Sequence, residues 1–319
     1  MNGTDGRGRL RGNAIARLHG RRIRVFGFPL QITDALVLGG LLVQAALFLL
    51  FFRRLDRPLF LAAKNAGLAA LYLLCVFLLS KIKARVPFFL LRTASVQLLF
   101  AYLYGATHPL QLMLMPWQDR PVLAAEQAFF GIQPTLWMER FVSPPLTEWL
   151  MFSYVIYLVI YPLVAGLVFF KHGEGALEDY LFTLGIVNLA CDLGFILFPV
   201  ASPLWYMPEA YAVPLQGGLF TFLGDFIRAH AHQAGGSIPS PHCAVATVMW
   251  LTARRYVRPW FHILGPVILS LYVSTVYCRY HYVTDSVAGL ALGIIAILAA
   301  PGMVRAWNRK AGRRSQEAA

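Results

Sequence analysis

Apolar and polar residues fall along this chain in long blocks, not in the short alternation of a soluble strand or the one-sided stripe of a surface helix. Seven stretches of about twenty mostly apolar residues occupy 32–52, 60–80, 87–106, 146–170, 180–200, 259–278 and 283–304. Each is long enough, as a helix, to cross roughly 30 Å of hydrocarbon. A shorter apolar run at 243–257 adds an eighth. The pattern predicts an all-α polytopic transmembrane bundle of about eight helices. The segment 108–145 reads differently: Trp117, Phe129, Phe130 and Trp137 are spread through it, with Trp149 just beyond, and Pro116, Pro121, Pro134, Pro144 and Pro145 interrupt it. Aromatic rings favour the headgroup level and proline ends helices, so this segment is expected to lie on the membrane surface as short amphipathic helices capping the bundle.

Composition agrees with the block pattern. Over 319 residues the chain is 58% hydrophobic and only 13% charged, which excludes an ordinary soluble domain. The N-terminal stretch to Pro29 is arginine-rich and lacks a small-residue cleavage site, so the first helix is expected to stay in the membrane. The net charge of +13 raises the question of nucleic acid. Its basic residues, however, flank apolar spans, where they serve as topology signals and contacts for anionic headgroups, so no nucleic-acid partner is expected. Arg7 to Arg24, then Lys81, Lys83 and Arg85, then Arg254, Arg255 and Arg258, then Arg305 to Arg314 all fall on one side of an eight-helix path. The short Arg53, Arg54, Arg57 loop is outvoted. Both termini are therefore expected in the cytoplasm, and the Ala-, Leu- and Arg-rich composition suits a bacterial plasma membrane.

Two polar islands interrupt the apolar sequence near its end: Pro239-Ser240-Pro241-His242-Cys243 and Tyr277-Cys278-Arg279-Tyr280-His281-Tyr282-Val283-Thr284-Asp285. Ionisable groups at membrane depth are costly unless they face a cavity or each other, which makes a functional site the default reading. On the eight-helix path both islands open on the extracytoplasmic side. His281 and Asp285 are four apart, on one helical face, so the carboxylate can fix the imidazole's tautomer and stabilise its cation. His242 follows a Pro-Ser-Pro turn that hands over to a helix, whose first N–H groups are free for an anion. Two histidines, one backed by a carboxylate, fit phosphoryl transfer, with one imidazole attacking phosphorus and the other protonating the departing oxygen.

The sequence Pro239-Ser240-x-His242, followed by His281-Tyr282-x-x-Asp285 and Gly289, resembles the type 2 phosphatidic acid phosphatase (PAP2) superfamily of membrane phosphatases and phosphotransferases. The wording Tyr277-x-x-x-His281-Tyr282-x-x-Asp285, with Phe130-Gly131-x-x-Pro134-x-Leu136-Trp137 upstream, is most similar to the branch containing fungal inositol phosphorylceramide synthase and its bacterial relatives. The resemblance implies that His281 is the nucleophile, Asp285 its partner and His242 the general acid. It also implies a six-helix core with no metal or other cofactor. The chain then divides into a basic segment 1–30, two accessory helices in 31–86, the core in 87–306 and a basic tail 307–319. Two motif positions depart from the family. Its Lys-x6-Arg-Pro element and the Arg of its third motif correspond here to Ala201-Ser202-Pro203-Leu204 and Ser274-Thr275, so the usual phosphate-holding arginines are missing. Arg279 is the nearest substitute, with Arg120 and Arg140 behind it and Ser240 at the phosphate-binding turn. Membrane lipids are the implied partners, a lipid phosphate as substrate and water or an alcohol as acceptor. Oligomeric state is not legible.

Other polar residues have plainer readings. Asp34 beside Thr33 marks a helix start; Lys64 with Asn65, and Asn188 with Asp192, are expected to bond helix to helix. His230 and His232 could join His242 on zinc, but His-x-His in a loop without a near third ligand is weak evidence. Cys75, Cys191, Cys243 and Cys278 show no metal or redox spacing. A transporter or lipid scramblase is the competing class; it would favour repeated halves and broken helices, and no internal repeat stands out.

Overall fold

The computed structural model describes residues 22–25, 28–231 and 234–317. His232 and the arginines up to Arg21 lie outside the described residues. Helices form on the apolar windows: α1 (Ile32–Leu50), α2 (Pro58–Leu79), α3 (Arg85–Thr107), α6 (Pro144–His172), α7 (Glu174–Leu197), α10 (Pro241–Tyr256), α11 (Arg258–Tyr277) and α12 (Val283–Glu317). Four shorter helices lie between them: α4 (Asp119–Phe130), α5 (Pro134–Trp137), α8 (Pro203–Tyr206) and α9 (Leu219–Ala231). Proline opens many of these helices, where its missing N–H costs nothing: Pro58, Pro134, Pro144, Pro203 and Pro241 each stand first. Gly173, at φ +85°, turns α6 into α7.

Seven of the helices are long and apolar enough to cross a membrane; α10, at 16 residues, is shorter. Its contacts nevertheless carry it through the full bundle. Its first turn holds His242 beside the residues that follow α11. Its last residue, Tyr256, accepts from the His172 ring at the end of α6 and donates to Asp179 at the start of α7. Both lie at the turn of the α6–α7 hairpin, the end away from His242, so about 24 Å of α10 runs from one face of the bundle to the other. Its shortness is affordable because Cys243 through Met249 are all buried in protein and none of them has to meet lipid.

Two glycines set how closely α10 and α12 approach. A Cβ on Gly289 would lie 2.3 Å from the Ser240 carbonyl oxygen, and one on Gly293 would lie 2.7 Å from that of Ala244. Small residues four apart let helix backbones touch in a membrane. This contact brings the two polar islands into one plane.

At the opposite end, α1 and α2 are tied to α3 and α7 by buried charge. Arg92 of α3 donates to Asp34 of α1 at 2.5 Å and to both carboxylate oxygens of Glu178 of α7 at 2.6 and 2.7 Å, while Tyr72 of α2 donates to Asp34 at 2.7 Å. Asp34 also caps the start of α1 by accepting from the Gln31 N–H. Asn65 bonds helix to helix as expected, donating to the Leu41 carbonyl and Gln44. Asn188 donates to the Leu184 carbonyl within its own helix and also bonds the Tyr161 side chain of α6, helix to helix as expected.

Segment 108–145 is broken into short helices at its prolines. Phe129 on α4 is 84% exposed, and Trp137 and Phe141 pack edge to face at the surface. Two features depart from the sequence reading. Ile23–Val25 and Phe28–Leu30 form a small antiparallel ribbon, with Ile23 paired to Leu30 and both buried, in a segment expected only to be basic. The tail from Arg305, read in sequence only as basic, continues α12 to Glu317; its Arg, Lys, Ala and Gln residues have high helix propensity, and the helix need not stop where its apolar content does.

Candidate active site

The two polar islands meet. His242 Nδ1 lies 3.3 Å from His281 Nε2, with ring centroids 5.5 Å apart and ring planes inclined at 61°. His242 is delivered by the first turn of α10. Ser240 caps that turn, its Oγ accepting from the Cys243 N–H, and the Ser240 N–H donates to the Asp285 carbonyl at 2.9 Å. That backbone bond fixes the start of α10 against the start of α12 independently of either histidine.

His281 is placed by the reversal that follows α11. Arg279 adopts a left-handed conformation (φ +68°), uncommon for a side chain of its size, and the N–H groups of both Tyr280 and His281 donate to the Thr275 carbonyl. Asp285 is fully buried in the first turn of α12. Its Oδ2 accepts from Ser237 Oγ at 2.5 Å and from the Tyr282 N–H at 3.0 Å, and lies 3.5 Å from His281 Nδ1. Ser237 Oγ is itself 3.3 Å from His281 Nδ1. A carboxylate there favours the proton on Nδ1, which leaves the lone pair on Nε2, the nitrogen that faces His242.

Aromatic rings hold His242 from the other side. Tyr154 stacks on it at 4.6 Å and Tyr280 stacks on Tyr154 at 4.3 Å, while the ring of Tyr157 leans in at 5.3 Å. Below this stack a cavity of about 560 Å³ opens among α3, α6, α7 and α9, with His242 and Pro241 at its edge and Tyr104, Tyr161, Gln97 and Asn188 in its wall. Its wall is mainly apolar and aromatic, suited to a lipid chain with its polar end at the histidines.

The cations expected around this pair are placed elsewhere. Arg279 donates to Glu139 at 3.0 Å and to the Val213 carbonyl, and its guanidinium lies 4.1 Å over the Tyr211 ring. Burial pushes its pKa down and the adjacent Glu139 carboxylate opposes that. Arg120 is exposed on α4, and Arg140 is exposed with its guanidinium 4.8 Å over Trp137. The structure therefore brings His242, His281, Asp285 and Ser240 together, leaves Arg279 and Arg140 in other contacts and leaves Arg120 exposed. No group of three or more potential metal ligands occurs among the described residues.

Four residues the sequence did not single out belong to the site's frame. Ser237 and Tyr154 touch the histidines or the aspartate directly. Asp119 and Glu126 do so indirectly, from two turns of α4. Asp119 accepts from the Ala201 and Ser202 N–H groups and from the Tyr282 hydroxyl, and Glu126 accepts from the N–H and hydroxyl of Thr284. Both carboxylates are buried, and burial raises the pKa of each. Their seven-residue spacing on one helical face was visible in sequence; that the face docks on the loop carrying His281 was not.

Comparison with known proteins adds three findings. Residues 120–299, more than half of the chain, match the PAP2 superfamily. A PA-phosphatase related-family protein of Dictyostelium discoideum is 29% identical over 110 residues, a match covering 32% of this chain and 19% of that protein. No solved structure matches the chain. The matched segment contains the whole of the histidine–aspartate constellation, three of the seven membrane-length helices in full and part of a fourth, so fold and site agree: this chain is an integral, multi-pass membrane protein of the PAP2 superfamily.

Proposed function

We propose that the protein cleaves lipid phosphate esters through a phosphohistidine formed on His281. The observation that carries this reading is the 3.3 Å approach of His281 Nε2 to His242 Nδ1, with Asp285 behind the far nitrogen of the nucleophile. A phosphoryl group entering between the rings meets a lone pair on one side and a proton donor on the other. Attack by His281 Nε2 forms the N–P bond and breaks the P–O bond to the lipid alcohol. His242, entering as the imidazolium, gives its proton to the departing oxygen. The neutral His242 then takes a proton from water, whose oxygen attacks phosphorus and breaks the N–P bond, releasing inorganic phosphate and restoring both histidines. The Asp285 carboxylate balances the positive charge on His281.

The lipid enters sideways from the bilayer into the cavity, while water arrives from the aqueous face. The orientation supported by the basic flanks puts this face outside the cytoplasm, in a bacterial plasma membrane. A hydroxyl in place of water would make the same intermediate a phosphotransferase. The resemblance of the stretch Phe130 to Trp137 to the inositol phosphorylceramide synthase branch supports that second reading.

The test is phosphate release from phosphatidic acid in detergent micelles by the purified protein, with a headgroup-transfer arm in which a lipid alcohol is added. His281→Ala and His242→Ala should each lose at least a thousandfold in kcat, and a brief wild-type quench should trap acid-labile phosphate on the protein. Equal turnover in wild type and His281→Ala would end the proposal.

A further inference from the structure

A hydroxyl inside a protein that donates to nothing gives up a hydrogen bond it would make in water, so such groups are normally paired. Most tyrosines of this chain obey. Eight of them, among the described residues, bond through the hydroxyl to another protein group, as Tyr72 does to Asp34 and Tyr102 to Asn65. The four that line the cavity beside His242 differ: among the described residues, the hydroxyls of Tyr104, Tyr154, Tyr157 and Tyr161 donate to no protein group. Tyr161 accepts from Asn188, and its own proton is unspent. We propose that Tyr104, Tyr157 and Tyr161 form a subsite for carbonyl oxygens of the substrate. The lipid is then an acyl lipid phosphate, with ester or amide carbonyls close to its phosphate, and not an isoprenoid phosphate; this rests on the phosphoryl-transfer reading above.

These tyrosines descend from the histidines into the membrane. Tyr154, Tyr157 and Tyr161 recur at three- and four-residue spacing and so share one face of α6. Tyr154 stacks on His242, which sets the top of the series. Tyr157 and Tyr161 follow roughly 4.5 and 10.5 Å further along the helix axis. Tyr104 joins them from α3: a Cβ on Gly236 would lie 2.8 Å from its hydroxyl, which sets that hydroxyl against the segment whose next residue, Ser237, bonds Asp285. Donors therefore begin near the level of the histidines and continue below it.

An acyl lipid phosphate presents the matching pattern. Its carbonyl oxygens follow phosphorus by a few bonds, and hydrocarbon lies beyond them. An isoprenoid phosphate is hydrocarbon from its ester oxygen onward and would bury the same hydroxyls without an acceptor, at the cost of their hydrogen bonds. The wall holds neither lysine nor arginine among the described residues, so it suits neutral acceptors below the phosphate and not a second anion. The ligand can reach it from the bilayer: Leu158 belongs to the wall and is 57% exposed on a membrane-length helix.

The experiment reads lipid binding apart from turnover. Full-length His281→Ala protein in detergent is loaded with radiolabelled phosphatidate, which unlabelled lipids then displace: a diacylglycerol phosphate, its dialkyl ether analogue without carbonyls, a ceramide phosphate and a polyprenyl phosphate. The diacyl lipid should bind at least about tenfold tighter than the dialkyl and polyprenyl lipids, the scale of one hydrogen bond. A ceramide phosphate ranked with the diacyl lipid assigns amide carbonyls as well, and one ranked with the dialkyl lipid restricts the subsite to esters. Adding Tyr104→Phe, Tyr157→Phe and Tyr161→Phe together keeps every ring. That variant should bring the diacyl lipid down to the affinity of the dialkyl one, with dialkyl affinity and melting temperature unchanged. Diacyl and dialkyl lipids within twofold of each other before the tyrosines are changed overturn the assignment, as does a triple variant that weakens both equally. If the acyl preference holds but wild type cleaves no lipid phosphate, the reaction reading fails and the subsite stands; cleavage of both lipids at equal kcat/KM with no binding preference sinks the subsite alone.

Discussion

Replacing Asp285 by Asn tests whether the site works by charge or only by shape. The amide has nearly the volume of the carboxylate and keeps one oxygen to accept from the Tyr282 N–H and Ser237, so the first turn of α12 should stay folded. What goes is the negative charge 3.5 Å from His281 Nδ1. At an effective dielectric constant of about 20, a unit charge pair at that distance is worth ~4.7 kcal/mol. It matters only when His281 is positive, which the proposed bond from its Nε2 to phosphorus would make it. Loss of the pair therefore raises the barrier by up to that amount, about three and a half decades in rate. Ser237→Ala removes a donor to the same carboxylate but leaves the charge, and should cost about tenfold, the scale of a single hydrogen bond. The assay is single-turnover release of lipid alcohol at saturating phosphatidate, which reads phosphoryl transfer to His281 alone. If Asp285→Asn turns over within tenfold of wild type, or if Ser237→Ala is the more damaging change, the charge-balance argument is wrong.

Two further outcomes concern the frame. Arg92→Leu leaves Asp34 and Glu178 buried without their cation, a change that costs about 3–5 kcal/mol when one partner of a buried ion pair is removed; thermal unfolding in detergent should show a large loss, partly restored by adding Glu178→Gln, and an unchanged midpoint would contradict the buried triad. The α4 carboxylates should give a pH signature. Because folding raises the pKa of Asp119 and Glu126, the folded state binds their protons more readily than the unfolded chain. Their contribution is then fully present below the unfolded values of about 3.9 and 4.3 and is lost as pH rises through the raised ones. Wild-type stability should fall across that window relative to an Asp119→Asn/Glu126→Gln variant, and parallel pH profiles of the two proteins would rule the effect out.

Sequence alone carried the architecture a long way, because a membrane span must satisfy its backbone internally and present apolar side chains over a fixed length. Both conditions are local, so all eight apolar windows became helices. The His281–Asp285 pair was equally local: four residues on one helical face must lie near each other. His242 required tertiary structure, since its contact with His281 depends on α10 and α11 running in opposite directions and on Gly289 and Gly293 letting α12 close on α10. Arg279 shows the limit most clearly. Its position two residues before His281 suggested a phosphate ligand, yet neighbouring side chains along a reversing backbone point apart, and Glu139, 140 residues earlier in sequence, accepts from the guanidinium. The same holds for Asp119, Glu126 and Ser237, whose partners lie tens of residues or more away. Spacing along the chain settles which groups share a turn of helix; which groups share a site across helices is decided by packing, where distance in sequence carries no information.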